Sequence, residues 1–471
     1  MISLPAFNHR LPAFNQSRRF FQFSIKYLFL LSTALFFILN PSFIYADVND
    51  HNEKNAHNQL LSPVRQIEIC VVKGDQLKFL LEKPFANYSL LALNMNNTLK
   101  PVPFQFDDQN VNGLIYVPGG KILIDGKEGI LDSKDELAFM LEDSGQKASD
   151  LELANTEGQL IAEISVNINE RQKKYVYLFK DNPDRSNKFY THFDQATGLL
   201  TTKKFSQQFD PKSILIWEDY YYSDFIGTNE TLLDSAKVRV RIKLGLLKAT
   251  INNTQLPDEI VGVKNGPIRS VIEMDASFSI FGRDIIEAGG NLTATKNSIH
   301  FAVEATTPKA AGFIKDNLLI EYSYDFNKLD GMKFTSALAS DKIIIAGVEK
   351  EKPDLNSINL EHNWFSGSTG KGWDFIGFFQ RNENFDGEIQ LLYKDKSMGD
   401  KNDEPERFPG SSPQIGYYIS GVPAGTKFRF GIDFYYASNF WQDNQLMTSI
   451  EQLQNPALIK VNPVNFDSKQ L

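Results

Sequence analysis

The sequence predicts an all-β protein, a β-sandwich or supersandwich built from two packed β-domains with little helix. Apolar residues alternate with polar ones far more often than they recur with helical spacing. The chain contains 37 phenylalanines and 17 tyrosines, residues that suit the half-buried surface of a sheet. Turn signals rich in Asn, Asp, Gly and Pro separate the alternating runs, as at 265–267 and 330–331. We therefore expect antiparallel strands joined by turns.

The N-terminus has the order of features of a secretory signal peptide. Basic residues precede an apolar run at 27–39, and Ala46 follows as a small residue suited to cleavage. Thirteen apolar residues are fewer than the roughly 20 that a membrane-spanning helix needs. We expect removal of residues 1–46 and a periplasmic or secreted protein. An uncleaved anchor helix from Phe20 stays open, because Ile44 is larger than the usual residue three places before the cut.

The charge of the chain limits its partners. The net charge is −9, and residues 1–46 carry four basic and no acidic side chains, so the remainder has a net charge of −13. Such an acidic protein is not expected to bind nucleic acid or anionic lipid nonspecifically. No later run contains 18 uninterrupted apolar residues, so we expect no transmembrane segment after signal cleavage.

Composition also suggests how the chain is divided. Residues 47–65 are polar and predict a disordered leader, followed by an N-terminal β-domain over 66–190. A polar, turn-rich stretch leads into a larger C-terminal sandwich over 191–440, and 441–471 form a tail with a short helix. A single extended sandwich fits the same pattern. The polar run 394–414 predicts a long loop, either a functional cover or a mobile connection.

Motifs for metal or cofactor chemistry are not found in the sequence. Cys70 is the single cysteine and lies in an apolar run, which predicts a buried small hydrophobe rather than a nucleophile. The sequence contains no H-x-x-x-H, P-loop or G-x-S-x-G pattern, so we expect no metal and no cofactor. The stretch 124–135 partly matches an EF-hand loop, but its first and third ligand positions are Ile124 and Gly126. An acidic turn before a strand at 137–141 is the favoured interpretation.

Four residues are candidates for catalysis. His192, His300 and His362 each lie in a predicted strand and would act as general bases if a Tyr or Arg met them across a sheet. Arg269 is the fourth candidate, and a structural role is the alternative for each histidine. The sequence leaves open whether the protein is an enzyme.

A basic stripe is the first candidate ligand-binding surface. In the run 237–244 every even position is apolar and every odd position is basic, which places Arg239 and Arg241 on one face of a strand. Guanidinium groups there would bind carboxylates or sulfates. The alternative is an ordinary solvated face whose charges pair with acidic residues of a neighbouring strand. Similar alternation occurs at 427–434.

Aromatic residues supply the second candidate surface. Trp364 and Trp373 bracket a glycine-rich turn, and Tyr221 lies in a triplet of tyrosines. Their rings would pack against the apolar face of a sugar, or else against the protein core.

Three short stretches carry a resemblance to a known group. They are PVPFQFDD at 101–108, GILDSKDELAFM with EDSG at 129–145, and VKNGPIR at 263–269. Together they resemble secreted bacterial β-sandwich proteins near the polysaccharide-lyase and mutarotase-like supersandwiches. The resemblance implies a supersandwich fold and a glycan ligand, and it transfers no catalytic residue to this chain.

These observations lead to two hypotheses about function. The first is an exported β-sandwich protein that binds or processes a polysaccharide or oligosaccharide, preferably an anionic one. The second is a non-catalytic structural or assembly protein of the envelope that binds another protein. A concave cleft holding several candidate residues would favour the first, whereas a flat apolar patch or an unpaired sheet edge would favour the second.

Overall fold

Strands account for most of the structure, a computed structural model that describes residues 61–244, 246–280, 283–309, 318–348, 363–381, 385, 387–395, 404–410 and 413–464. These residues contain twenty-six strands and three short α-helices, α1 (Pro63–Ile67), α2 (Asp150–Ala154) and α3 (Leu446–Gln454). The predicted all-β class is confirmed. The predicted signal peptide and most of the leader lie outside the described residues.

Two large antiparallel sheets form the main sandwich. In spatial order, the nine-stranded sheet contains β14 (Asp258–Asn265), β15 (Ser270–Ile280), β16 (Arg283–Ala294), β17 (Ser298–Thr306), β25 (Lys427–Ala437), β22 (Asp374–Arg381), β21 (Trp364–Ser368), β19 (Lys333–Ser336) and β20 (Ile344–Ile345). The opposing sheet contains β13 (Leu247–Asn252), β12 (Leu233–Leu244), β18 (Leu318–Phe326), β24 (Gln414–Ser420) and β23 (Glu388–Lys394). A four-stranded sheet adjoins them, with β11 (Ser213–Tyr222), β10 (Phe205–Asp210), β9 (Leu199–Thr202) and β8 (Thr191–Asp194).

The core of this sandwich is rich in aromatic rings. Alternation along β25 turns Phe428, Ile432 and Phe434 inwards. The ring of Phe434 meets that of Tyr324, on the opposing sheet, edge to face at 4.5 Å between centroids. The residues between the inward-facing ones, such as Asp433, therefore lie on the outer face of the nine-stranded sheet.

Two smaller sheets enclose a second core. One contains β1 (Ile69–Lys73), β5 (Glu136–Met140) and β4 (Phe104–Asp107); the other contains β26 (Leu458–Pro463), β6 (Gln159–Asn167), β7 (Lys173–Lys180), β2 (Tyr88–Leu93) and β3 (Leu99–Pro101). Cys70 is buried in this core, as predicted, and burial raises the pKa of its thiol well above the usual value.

The end of the chain returns to the sheet of β6. Strand β26 pairs antiparallel with β6, so that Val461 lies opposite Ile164. Residues 62–471 form one compact unit. The domain boundaries at 190 and 440 stay a prediction.

The acidic stretch at 124–135 forms a turn before β5. Its carboxylates contact other groups of the protein. Asp125 pairs with Lys134 at 3.1 Å, and Asp135 accepts hydrogen bonds from the backbone amides of Gln109 and Asp132. Among the helices of the described part of the chain, none combines the length and hydropathy that crossing a membrane requires.

Candidate functional site

A cleft of about 610 Å³ lies on the outer face of the nine-stranded sheet. Its floor is formed by outward-facing residues of β16, β17 and β25, and its walls come from α1, α3, β1 and neighbouring loops. Its lining includes Asn291, Thr293, Ser298, His300, Gln380, Arg381, Arg429, Asp433 and Tyr435. The volume lies in the range of roughly 300–1,000 Å³ that is usual for small-molecule sites.

A chain of hydrogen bonds crosses the floor of this cleft. Strand register places His300 of β17 directly opposite Asp433 of β25, and their Nδ1 and Oδ1 atoms are 3.0 Å apart. Gln380 donates to the other oxygen of Asp433 at 3.0 Å. Ser298 lies two residues before His300 on the same face of the strand, and its Oγ is 2.8 Å from His300 Nε2. Backbone pairing therefore fixes the relative positions of all four side chains.

The direction of these hydrogen bonds follows from the chemistry of the groups. An ionised carboxylate only accepts, so Nδ1 of His300 must carry the proton shared with Asp433. In the neutral ring Nε2 is then the acceptor, and Ser298 donates to it. Thr295 Oγ1 lies 2.6 Å from Ser298 Oγ and completes the chain. The arrangement can accept a proton from Ser298, or from a ligand hydroxyl that takes its place.

The wall of the cleft near β1 is held by a buried ion network. Arg269 contacts Asp107 through Nε at 2.6 Å and Glu136 through Nη2 at 2.5 Å. Lys264 lies 2.7 Å from Asp107, and Lys73 also pairs with Glu136. Burial opposes ionisation, but the adjacent Arg269 and Lys264 lower the pKa of Asp107, while Arg269 and Lys73 lower that of Glu136. The charges of this network are thus stabilised.

The three stretches that carry the resemblance meet in this network. The first supplies Gln105 and Asp107, the second Glu136 and the third Arg269. Gln105 Oε1 accepts from the backbone amide of Arg269 at 3.1 Å. A Cβ atom on Gly266 would lie 1.9 Å from this oxygen, so a larger residue there would displace the Gln105 amide. The stretches therefore join β4 and β5 to the turn between β14 and β15.

The catalytic candidates from the sequence fall in different places. His300 and Arg269 both line the cleft, but Arg269 is bound by two carboxylates and serves to position the wall rather than to meet a ligand. His192 is exposed on β8 and is not among the residues that line the cleft. His362 lies outside the described residues.

The expectation of a solvent-facing basic stripe on β12 is wrong for two of its members. Arg239 is 1% exposed and pairs with Glu321 of the adjacent strand β18 at 2.7 Å. Lys237 is fully buried and contacts Asp325. Arg241 remains partly exposed and binds the other oxygen of Glu321 at 2.7 Å. Charge pairing with a neighbouring strand, the alternative reading of the pattern, explains these contacts.

The expectation that tryptophans form a ligand platform is also corrected. Trp373 is 1% exposed in the main core, where its Nε1 donates to the hydroxyl of Tyr220 at 3.3 Å. Trp364 is buried in a smaller core that includes Phe440. Buried rings have no face available to a sugar. Tyr221 is 44% exposed on β11 but does not line the cleft.

Sequence reasoning missed most of the cleft. The alternation at 427–434 did contain a signal, since it places Arg429, Gly431 and Asp433 on one face of a strand. The sequence does not show that β17 lies next to β25, because the two strands are adjacent in the sheet but more than a hundred residues apart in the chain.

Solved structures match this chain at low sequence identity and with TM-scores below 0.5. No family model and no curated protein matches the sequence. An α-mannosidase from Enterococcus faecalis is 8% identical, with a TM-score of 0.44, over 85% of this chain and 45% of that one. The chain thus spans less than half of the length of that enzyme.

Smaller proteins match the fold over about half of the chain. A putative mutarotase from Salmonella typhimurium is 8% identical with a TM-score of 0.31, over 51% of this chain and 90% of that one. An aldose epimerase homologue from C. elegans is 10% identical with a TM-score of 0.30, over 53% and 99%. The matched structures include these two mutarotase-like proteins, each with a TM-score below 0.5.

Proposed function

We propose that the cleft binds a saccharide and that His300 acts as a general base toward one of its hydroxyl groups. The observation that carries the proposal is the chain from Ser298 through His300 to Asp433 on the cleft floor. The Asp433 carboxylate fixes the tautomer of the His300 ring. The unprotonated Nε2 atom of that ring then accepts a hydrogen bond from a hydroxyl group. A sugar hydroxyl offers the same group in place of Ser298.

The rest of the lining suits a ligand rich in hydroxyl groups. Asn291 is buried, and its Oδ1 accepts from the backbone amide of Ile115 at 2.7 Å. Its Nδ2 has no hydrogen-bond partner among the residues that the structure describes. A buried donor without a partner is unfavourable, so a ligand oxygen that accepts from it would be stabilised. The ring of Tyr435, which meets that of His300 edge to face, adds apolar surface for the C–H face of a sugar.

Two arginines support an anionic saccharide. Arg381 of β22 and Arg429 of β25 both line the cleft. Guanidinium groups bind carboxylates and sulfates through charge-assisted hydrogen bonds, typically about 1.5–3 kcal/mol each. A uronic acid or a sulfated sugar fits this lining better than a neutral one.

The test begins with binding of a panel of neutral hexoses, hexuronic acids and sulfated oligosaccharides, measured by calorimetry. Turnover of whichever saccharide binds is then compared between wild type and the His300→Gln and Asp433→Asn variants. We expect turnover to fall by about a hundredfold or more while affinity changes only a few-fold, because a general base contributes to the reaction more than to binding. His192→Gln, outside the cleft, is the matched control. Failure of every saccharide to bind at millimolar concentration would refute the proposal.

We further propose that the protein works outside the cytoplasm, in the periplasm or the medium. The basic, apolar and small-residue order of residues 1–46 supports this. Intact-mass measurement of protein from the native host should give a chain that begins at Asp47. A mass that retains residues 1–46, with all of the protein bound to the inner membrane, would contradict export.

A further inference from the structure

A cluster of three carboxylates, two of them buried, lies on the outer face of the sheet that contains β12 and β18. Asp234 comes from β12, Asp325 from the adjacent strand β18, and Glu406 from the segment 404–410 that covers them. One oxygen of each residue lies within 4.8 Å of the others. Asp234 and Asp325 are completely buried.

The segment 404–410 is bound closely over this cluster. The backbone amides of Arg407 and Phe408 donate to Asp234 Oδ1 at 2.7 and 3.1 Å. Ser235 donates to the carbonyl of Pro405 at 3.0 Å. The cluster is therefore closed by specific hydrogen bonds, and not by an incidental surface contact.

Each carboxylate contacts the protein through one oxygen, and the side chains of Asp234 and Glu406 also contact each other. Lys237 Nζ lies 2.5 Å from Asp325 Oδ2 and 2.7 Å from Glu406 Oε2, while Asp234 Oδ1 accepts the two amides. The second oxygens, Asp234 Oδ2, Asp325 Oδ1 and Glu406 Oε1, are buried and accept no hydrogen bond from the described residues. Unpaired buried carboxylate oxygens are strongly unfavourable without a positive charge or a proton.

The local charges are out of balance. In the described part of the chain Lys237 pairs with Asp325 and Glu406, and the neighbouring Arg239 pairs with Glu321. Three carboxylates share this lysine among the described residues, so a bound cation would reduce the excess of negative charge.

We propose that Asp234, Asp325 and Glu406 bind a calcium ion, each through one carboxylate oxygen. Calcium takes oxygen ligands at about 2.4 Å, so it spans oxygen pairs up to about 4.8 Å apart. Magnesium needs about 2.1 Å and stricter octahedral geometry, and would require the cluster to contract. The donor set contains only oxygens, which disfavours softer metals. The site belongs to a different sheet from the cleft, and the inference does not rest on saccharide binding.

The experiment uses purified protein stripped of metal with a chelator and titrated separately with CaCl₂ and MgCl₂ in a calorimeter. We expect one calcium per chain and a rise in Tm of at least about 2 °C at millimolar calcium. Asp234→Asn and Glu406→Gln should each weaken binding by at least about tenfold. Glu406→Gln keeps the test valid if the buried Asp234→Asn variant fails to fold. Asp125→Asn, an exposed carboxylate paired with Lys134, is the control and should bind normally.

Other outcomes overturn the proposal. If neither salt releases heat or shifts Tm, a proton shared among the carboxylates balances the charge instead. If Asp125→Asn abolishes binding and Asp234→Asn does not, the ion lies in the acidic turn at 124–135. Tighter binding of magnesium than of calcium would contradict the assignment to calcium. Calcium affinity should also fall at least about tenfold between pH 7.5 and pH 5, as protons compete for the same oxygens.

Discussion

Strands β12 and β25 have almost the same alternating sequence pattern, yet β12 is covered by another segment of the chain and β25 lines a cleft. In both, apolar residues alternate with polar ones, and the polar residues lie on the outer face of a sandwich sheet. Over β12 the segment 404–410 covers the charges, so that Arg239 is buried in an ion pair. Over β25 the outer residues Arg429 and Asp433 stay accessible from the cleft. Alternation thus identifies the outer face but not what covers it.

The largest expected difference between the two faces is in stability. Glu321→Gln removes the charge that pairs with buried Arg239 and should lower the free energy of unfolding by about 3–5 kcal/mol. The matched change on the other sheet is Glu304→Gln, whose partner Lys427 is 61% exposed, and it should cost at most about 1 kcal/mol. Urea denaturation measures both. Equal losses would mean that burial of the β12 face is not what stabilises its ion pairs.

The next effect is a dependence of stability on pH that originates on the β12 side. In chelator, the folded protein holds protons on Asp325 and Asp234 up to pH values of about 7 and 6, which the unfolded chain releases near pH 4. The free energy of unfolding should therefore decrease as pH rises from about 4 to about 7, by up to about 1.4 kcal/mol per pH unit for each proton.

Asp325→Asn removes one of these protons and should flatten the slope, because an amide does not titrate in this range. Lys237, Glu406 and Asp234 surround residue 325 in both proteins. The difference between the two slopes therefore reports the proton on Asp325. Thermal or urea unfolding between pH 4 and 8 measures it. A slope unchanged in the variant would place the titration elsewhere.

A smaller expected effect is on saccharide affinity at the face of β25 that lines the cleft. Arg429→Gln should weaken an anionic saccharide by about ten- to a hundredfold, the equivalent of one charge-assisted contact. Lys427→Gln, on the same strand but paired with Glu304 and largely exposed, should change affinity less than about threefold. Calorimetric titration with a hexuronic acid distinguishes them. Similar losses in the two variants would indicate nonspecific attraction to basic residues.

The smallest effect concerns the hypothesis that the sequence suggested first. Arg241→Gln on β12 should leave saccharide affinity within about twofold, because its guanidinium binds Glu321 and lies on the other sheet. The cost in stability should be about 1 kcal/mol, since the side chain is 32% exposed. A loss of affinity as large as that from Arg429→Gln would restore the basic stripe as the binding site.

The sequence was sufficient for the features that depend on local pattern. Strict alternation predicted β12 and β25, and the apolar surroundings of Cys70 predicted its burial. The sequence also identified His300 as a candidate base, but only as one of three equivalent histidines. Its partner Asp433 depends on strand order, which no local pattern records.

The errors share one physical cause. Arg239 and Trp373 were expected on the surface because their side chains suit ligands, yet both are buried under chain that is distant in sequence. The long polar run at 394–414 was predicted to be either a cover or a mobile loop. Its segment 404–410 serves as a cover, over β12.

The pairing of β26 with β6 constrains the order in which this protein can fold. Residues 458–463 complete a sheet whose other strands lie between 88 and 180, so that sheet stays one strand short until nearly the whole chain is available. Contacts between such distant residues form slowly, and β6 presents an unpaired edge in the meantime. If the chain crosses a membrane from its N-terminus, the first sheet to emerge would be among the last to close, and a partner that shields that edge would favour correct assembly.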